Sequence, residues 1–332
     1  MMTRLAAFAV GLGICGTAIA QSASLLVLSK RDHTLAIVDA ATLQVKAKAP
    51  VGEDPHEVTA SADGRTAWVS NYGGGRYHTL TVIDLVGGKA LPVTDLGPLG
   101  GPHGLMFAAG KVWFTAEAAK VVGSVDPTTQ KVDLVLGTGQ DRTHMIWVSA
   151  DGMQIVTTNV TSATVSLIDK VMRPGPPGSP RTTDWTETVV PVGPGAEGFD
   201  VSPDGREIWT ANASDGTVSV IDRVTKKVVA TLPANAKGAN RLKFTPDGSR
   251  LLITTLSGPD VIVLDAHTRA EVKRIPVGRG AAGIEMDPGG SRAFVACTPD
   301  NYVSVIDLKT LNVTGHIDAG GAPDGMAWAV RR

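Results

Sequence analysis

The chain has 332 residues, with 31 basic and 32 acidic side chains and a formal charge of -1. This balance gives no electrostatic signature of nucleic-acid or other polyanion binding. The composition, 43% hydrophobic residues and 38 glycines, is typical of a globular protein with many tight turns and argues against a disordered or fibrous chain.

Residues 1–20 resemble a cleavable secretory signal. One early cation precedes an apolar run, and small residues follow at Ala18 and Ala20. The run is too short to span a bilayer comfortably. Lipoprotein-type processing at Cys15 is disfavoured because the bulky Ile14 precedes it. We therefore expect export to the periplasm or secretion, with cleavage before Gln21.

The mature chain, residues 21–332, is expected to form a single domain and to be a monomer. The length would ordinarily suggest two domains, but a closed array of repeats reaches this size as one domain. No later segment is apolar enough to cross a membrane. Cys297 is then the one cysteine left, so no internal disulfide is expected.

Segments 24–29, 34–39 and 44–51 alternate apolar and polar residues and match the second, third and fourth strands of a repeat. No first strand precedes them. At the other end, segment 324–330 matches a first strand with nothing after it. One blade is thus expected to combine three N-terminal strands with one C-terminal strand, which closes the ring.

The repeat itself consists of a strand, a turn of the Asp-Gly type, a second strand, a loop and a third strand that ends on aspartate. The closing aspartates are Asp39, Asp84, Asp126, Asp169, Asp222, Asp265 and Asp307. They are 45, 42, 43, 53, 43 and 42 residues apart. This period predicts an all-β, seven-bladed propeller with four-stranded blades. We expect these aspartates to accept hydrogen bonds from the turns that follow them.

One interval is about ten residues longer than the others. The extra residues fall in segment 170–184, which is dense in proline and glycine. This composition predicts a surface loop without a packed core, on the bottom face of the propeller.

Three second strands carry a family resemblance: Ala67–Asn71, Ile208–Asn212 and Ala293–Cys297. Each follows a turn similar to Pro-Asp-Gly and precedes a Val-Ile-Asp strand. They resemble the YVTN-type repeat of exported bacterial propellers of the YncE group and, more loosely, the cytochrome d1 haem domain and seven-bladed lactonases. The resemblance spans residues 24 to 330 and implies the fold, but families that share the repeat include binders, scaffolds and enzymes.

The entrances of the seven innermost strands define one equivalent position per blade. In ring order this position holds His56, His103, His144, Glu197, Asn240, Ala282 and Asp324. Three of the seven histidines in the chain therefore occupy consecutive blades. Such positions surround the mouth of the central channel, where functional sites of propellers lie. Arg241 and the loop residue His78 are expected at the same ligand-binding funnel.

Three imidazoles and a carboxylate, here His56, His103, His144 and Glu197, suit a divalent transition metal at the channel mouth. An open coordination position can activate water. The resemblance to the cytochrome d1 domain instead implies that a histidine can be an axial ligand of a haem-type iron. Without a metal, a histidine and a carboxylate can act as base and acid on a lactone or ester. The arginines that can stabilise an oxyanion are Arg142, Arg241 and Arg279.

A structural interpretation competes with these. Polar side chains often line a channel mouth only to hydrate it, and duplication of a turn can repeat a Pro-His pair. The change of chemistry at Glu197, Asn240 and Asp324 favours a functional site. The sequence thus predicts a binding or scaffold protein whose funnel takes a small ligand, a metal or a protein partner. The alternative is a lactonase-like or metal-assisted hydrolase at the same funnel.

Overall fold

The structure, a computed structural model, describes residues 23–175 and 180–331. The predicted signal lies outside these described residues. The fold is a seven-bladed β-propeller with four antiparallel strands in each blade, as the repeat predicts. We number the blades along the chain, and blade 1 contains the N-terminal strands.

The strands of blades 1 to 4 are as follows: blade 1, β1 (Ala23–Ser29), β2 (Thr34–Asp39), β3 (Val45–Pro50) and β28 (Pro323–Val330); blade 2, β4 (Pro55–Ala60), β5 (Thr66–Asn71), β6 (Thr79–Asp84) and β7 (Lys89–Asp95); blade 3, β8 (Pro102–Ala108), β9 (Lys111–Ala116), β10 (Val121–Asp126) and β11 (Lys131–Gly137); blade 4, β12 (Thr143–Val148), β13 (Gln154–Asn159), β14 (Thr164–Arg173) and β15 (Thr182–Pro191). The strands of blades 5 to 7 are as follows: blade 5, β16 (Ala196–Val201), β17 (Glu207–Asn212), β18 (Thr217–Asp222) and β19 (Lys227–Leu232); blade 6, β20 (Ala239–Phe244), β21 (Arg250–Thr255), β22 (Asp260–Asp265) and β23 (Glu271–Pro276); blade 7, β24 (Ala281–Met286), β25 (Arg292–Cys297), β26 (Tyr302–Asp307) and β27 (Asn312–Ile317).

The ring closes in blade 1, where the last strand β28 pairs antiparallel with the first strand β1. Leu26 is opposite Ala327 in this pairing, and the strand order of the blade is β28, β1, β2, β3. The prediction that both ends of the chain share one blade is therefore confirmed. The pairing removes the two unpaired sheet edges that an open ring would expose.

The core consists of side chains packed between neighbouring blades. Successive residues of β1 point to opposite faces of its sheet, since side chains alternate along a strand. Leu25 and Val27 pack against Phe294 of blade 7, whereas Leu26 and Leu28 pack against residues of blade 2. All four β1 side chains are fully buried. Each blade is thus a buried layer between two neighbours, and the outer strands carry the polar surface.

The turns after the third strands depend on the closing aspartates, as predicted, except in blade 4, where Asp169 lies inside β14 and accepts a hydrogen bond from Gln154 Nε2 at 2.6 Å. In blade 1 the Oδ1 atom of Asp39 accepts hydrogen bonds from the backbone N–H groups of Ala41 (2.9 Å) and Thr42 (2.8 Å). Asp126 does the same for the two residues after Pro127. These carboxylates stabilise turns and do not face the channel.

In blade 4 the structure differs from the surface loop predicted for segment 170–184. Instead of a loop that starts at Lys170, β14 continues to Arg173 and pairs with β15 from Thr182 onward. Arg173 Nε lies 2.6 Å from Asp184 Oδ2, and Lys170 lies over the ring of Trp185. The extra residues extend the hairpin because these cross-strand pairs stabilise it beyond the usual length.

Helices are short in the described residues. A 3-10 turn covers Gly73–Gly75 and another covers Thr298–Asp300. No described helix is long and apolar enough to span a lipid bilayer.

The first prediction concerns closure of the ring. A chain that ends at Ala322 lacks β28, so it exposes the edge of β1 and the core between blades 1 and 7. We expect it to lose the cooperative thermal transition of the full chain in circular dichroism. A chain that ends at Val330 keeps β28 and should melt as the full chain does. Equal melting temperatures for both truncated chains would contradict the role of β28.

Candidate functional site

A β-bulge at the entrance of every innermost strand aims the candidate side chains at the channel. In β4, Pro55 is opposite Asn71 and Val58 is opposite Val69, so β4 has one extra residue in this stretch. The same shift occurs at the start of the other six innermost strands. The second residue of each strand lies inside the bulge, and bulges re-aim side chains in this way.

Threonine hydroxyls connect these bulges from blade to blade. Thr115 accepts a hydrogen bond from the backbone N–H of Gly104 (2.8 Å) and donates one to the carbonyl oxygen of His144 in the next blade (2.5 Å). Thr158 likewise donates to the carbonyl oxygen of Glu197 (2.7 Å). Thr254 donates to that of Ala282 (2.7 Å). These buried hydroxyls fix the height and orientation of the equivalent positions around the ring.

The equivalent positions surround a cavity of about 440 Å³ at the face where the innermost strands begin, which we call the top face. The predicted residues that line it are His56, His103, His144, Glu197, Asn240, Arg241 and Asp324. The structure therefore brings together seven of the eight predicted ligand-binding residues. The rest of the lining combines the charged Lys30 and Arg142 with small or apolar residues of blades 6 and 7 such as Leu256 and Ala282.

His78 is the predicted residue that the structure places elsewhere. Its Nδ1 atom lies 2.9 Å from Asp95 Oδ1, and its side chain is about half exposed. The long loop of blade 2 instead brings Tyr72 against the site. Arg279, a predicted oxyanion donor, pairs with Asp300 at 2.6 Å and is 75% exposed, so it does not line the cavity either.

His144 lies between two carboxylates and is buried. Its Nδ1 atom is hydrogen-bonded to Glu117 Oε1, and its Nε2 atom lies 3.0 Å from Glu197 Oε1. Burial opposes protonation of His144, but Glu197 and Glu117 outweigh it and raise the pKa of the imidazole above its usual value. His144 is therefore suited to hold a proton and poorly suited to act as a free general base in the absence of a metal.

The pKa of Glu197 is shifted in the opposite direction, below its usual value. Burial disfavours its ionised form, but His144, Arg241 and Arg142 together lower its pKa to about 2. Arg142 Nη2 lies 3.9 Å from Glu197 Oε1, and Arg142 Nε lies 3.5 Å from Glu117 Oε1. The pair of carboxylates around His144 is thus ionised and is bridged by an arginine on the solvent side.

Glu117, like Lys30, is a residue of the site that the sequence did not predict. It follows the last residue of β9, in the loop between the second and third strands of blade 3. Its Oε2 atom accepts a hydrogen bond from the Tyr72 hydroxyl at 2.6 Å, and the residue is only 7% exposed. The loop residue His78 of the corresponding loop in blade 2 was expected at the funnel, so the position of Glu117 in the equivalent loop was the available signal.

The three histidines are in ring contact. The centroid of His103 lies 3.9 Å from that of His144 and 4.8 Å from that of His56, and Tyr72 packs against His56 and His103. Burial and the neighbouring Lys30 and Arg241 keep the pKa of His56 well below its usual value, so that ring is neutral. His103 is also held neutral, by burial first and then by the charge of His144.

The other side of the cavity is a network of paired charges. Arg241 Nη2 contacts Glu57 Oε1 at 2.6 Å, and Lys30 Nζ lies 3.2 Å from Asp324 Oδ2. Burial raises the pKa of Asp324, although Lys30 and Arg241 oppose the shift. These pairs keep several buried charges compensated, which is the condition for holding them near a ligand site.

A metal ion fits the histidine side of the cavity. One ligand atom each of His103, Glu117 and His144 lies within 4.8 Å of the others, and all three residues are buried. His144 Nε2 lies 3.0 Å from Glu197 Oε1, whereas His103 Nδ1 is buried and lacks a hydrogen-bond partner among the described residues. Native proteins leave few such atoms unpaired, and imidazole nitrogens with a carboxylate are a zinc-type donor set.

Comparison with known proteins gives the fold and a partial family match. The family model of the cytochrome d1 haem domain matches residues 145–291. The matched segment begins one residue after His144 and includes none of the three funnel histidines. No curated protein sequence matches the chain.

Solved structures share the seven-bladed fold at low identity. Kuenenia stuttgartiensis hydrazine synthase is 18% identical, with a TM-score of 0.71, over 86% of this chain and 92% of that chain. A proposed 6-phosphogluconolactonase from Bacteroides uniformis is 16% identical, with a TM-score of 0.75, over 93% and 99%. The dihydro-haem d1 dehydrogenase NirN, solved in complex with DHE, is 15% identical, with a TM-score of 0.64, over 92% and 74%. The chain is thus a seven-bladed propeller similar in fold to these proteins.

The second prediction is a pH-dependent loss of stability in Glu197→Gln. The carboxylate of Glu197 stabilises the fold above its ordinary pKa of 4.5, and this contribution disappears as the pH falls toward 2. Protonated His144 stabilises the fold below its ordinary pKa of 6.5, and this contribution disappears as the pH rises through its raised value. We therefore expect the substitution to lower the free energy of unfolding most between pH 4.5 and 6.5, by about 1–3 kcal/mol.

Urea denaturation of metal-free protein at several pH values measures this profile. Glu271→Gln is the matched control, since Glu271 pairs with Arg274 on the surface and should show little effect at any pH. A loss of stability in Glu197→Gln that does not change between pH 5 and pH 9 would contradict the coupling with His144.

Proposed function

We propose that the protein binds a divalent transition metal at the top-face funnel, with His103, His144 and Glu117 as ligands. The observation that carries this proposal is the convergence of three buried ligand groups, His103, His144 and Glu117, within 4.8 Å of one another, together with His103 Nδ1, a buried nitrogen that lacks a hydrogen-bond partner among the described residues. In the metal-free protein the two N–H groups of protonated His144 face Glu117 and Glu197. Since a divalent ion requires neutral imidazole, it would replace one of these protons.

The donor set also favours particular ions. Imidazole and carboxylate ligands suit Zn²⁺, Cu²⁺, Ni²⁺ or Fe²⁺, whereas Ca²⁺ and Mg²⁺ prefer sites made of oxygen atoms only. When bound, the ion would supply Lewis acidity toward a ligand in the cavity. Glu197 contacts His144 from the other side and would orient that ligand as an outer-shell carboxylate.

We propose that the protein is an exported binding protein that uses this site. The YVTN-type strands and the signal-like segment 1–20 support this assignment. The cavity beside the metal group, at about 440 Å³, has room for a small molecule, and its wall includes the apolar Leu256 and Ala282 as well as charged side chains. The same proposal includes a protein partner that binds at the top face in place of a small molecule.

The third prediction is one tightly bound metal ion per chain. Protein stripped with a chelator should take up one equivalent of Zn²⁺ or Co²⁺ in equilibrium dialysis. His103→Ala, His144→Ala and Glu117→Gln should each weaken binding at least about 10-fold, because each removes a ligand. His78→Ala is the matched control and should bind as the unmodified chain does, since His78 faces Asp95 on the surface. Unchanged binding in His103→Ala and His144→Ala would contradict the site.

A haem-type iron is the second candidate, favoured by the match of residues 145–291 to the cytochrome d1 haem domain and by the similarity to NirN. His56 would be the candidate axial ligand, because its side chain is 16% exposed whereas those of His103 and His144 are almost fully buried. Titration with haemin separates the two candidates: a stoichiometric shift of the Soret band that His56→Ala abolishes would favour haem over a single metal ion. Hydrolysis remains the enzymatic alternative, and turnover of lactones or esters by the metal-loaded protein tests it.

A further inference from the structure

His56 packs against the ring of His103 but is not one of the three residues whose ligand atoms lie within 4.8 Å of one another, and its Nε2 atom faces a lysine. Lys30 Nζ lies 2.9 Å from His56 Nε2. An ammonium group donates hydrogen bonds and cannot accept them, so Nε2 must be the acceptor and the imidazole proton must be on Nδ1. His56 Nδ1 lies 3.2 Å from the backbone oxygen of Asp54, which accepts that proton's hydrogen bond.

This arrangement is the one that metal-ligating histidines adopt, with one change. In metal sites the non-ligating ring nitrogen donates to a carbonyl or carboxylate, which fixes the tautomer and leaves the other nitrogen free for the ion. His56 has the donor contact to Asp54, and its Nε2 atom is unprotonated. The ring lies 4.8 Å from that of His103, centroid to centroid. Lys30 occupies the position at Nε2 that an ion would take.

Lys30 has other partners that would hold it if it left His56. Its Nζ atom lies 3.4 Å from Asp54 Oδ1 and 3.2 Å from Asp324 Oδ2. An ammonium has three donors, and these two carboxylates satisfy two of them without the histidine. The side chain of Lys30 is 25% exposed, so water can take up the third. Displacement of Lys30 from His56 therefore leaves no buried charge unpaired.

We propose that Lys30 is a displaceable cap on His56 and that His56 becomes a third histidine ligand when a metal ion enters the funnel. This inference rests on the proposed metal-binding function. Before binding, Lys30 blocks Nε2. On binding, Lys30 withdraws to Asp54 and Asp324, and Nε2 coordinates the ion beside His103 and His144. The cap makes the site selective, because only an ion with strong affinity for imidazole compensates for the lost contact and for the nearby positive charge.

The fourth prediction is a coupling between Lys30 and His56 in metal binding. Lys30→Met removes the ammonium and keeps an unbranched side chain that is shorter by the terminal nitrogen alone. We expect it to bind Zn²⁺ about 10-fold more tightly than the unmodified chain. His56→Ala should bind more weakly, and the double variant should bind no more tightly than His56→Ala alone. A gain from Lys30→Met of equal size in the His56→Ala background would mean that Lys30 acts only through its charge, and it would overturn the proposal.

A measurement on the unmodified chain covers the case in which Lys30→Met fails to fold. Protein labelled with ¹⁵N is loaded with ¹¹³Cd²⁺, and scalar couplings from the metal to ring nitrogens are recorded. Couplings to His56, His103 and His144 support the proposal. Couplings to His103 and His144 without His56 overturn it and leave the metal-binding function intact. Absence of any bound metal overturns both.

Discussion

The pairing of β28 with β1 is the constraint on which the site depends. It joins residues about 300 positions apart along the chain, and it closes a ring in which each blade is buried by its two neighbours. The same pairing completes the funnel. β28 brings Asp324 to the end of β1, where Lys30 follows, so the strand that closes the ring also supplies a partner for the cation at His56. Gly325 then packs directly against the backbone of His56, an approach that no side chain would permit.

Within the closed ring, the bulges and the threonine hydroxyls orient the side chains at the equivalent position of each blade toward the funnel. Each bulge frees backbone groups, and in blades 3, 4 and 6 a buried threonine of the second strand bonds the freed N–H and the carbonyl of the next blade. This network is internal to the protein, so it fixes the funnel residues without help from a ligand. The charged groups at the funnel are paired as well: Arg241 contacts Glu57, and protonated His144 lies between Glu117 and Glu197.

The fold and most of the funnel were predictable because they follow from local patterns repeated at one period. The strand alternation, the closing aspartates and the equivalent position at each strand entrance all require only sequence spacing. Glu117 was not predictable in the same way, since its direction depends on packing against Tyr72 and His144. The position of His78 was not predictable for the same reason, since it depends on the contact of the side chain with Asp95. In segment 170–184, cross-strand pairs such as Arg173 with Asp184 overrode the loop-forming composition, and single-sequence patterns do not reveal such pairs.

The central claim is that residues from consecutive blades meet as one metal site at the top of the channel. The most direct measurement is a crystal structure of the protein loaded with Co²⁺, with data collected on both sides of the cobalt absorption edge. We expect one strong anomalous peak in the funnel, between the imidazoles of His103 and His144 and within coordination distance of Glu117. Crystals that show cobalt at surface residues and no peak in the funnel would contradict that claim.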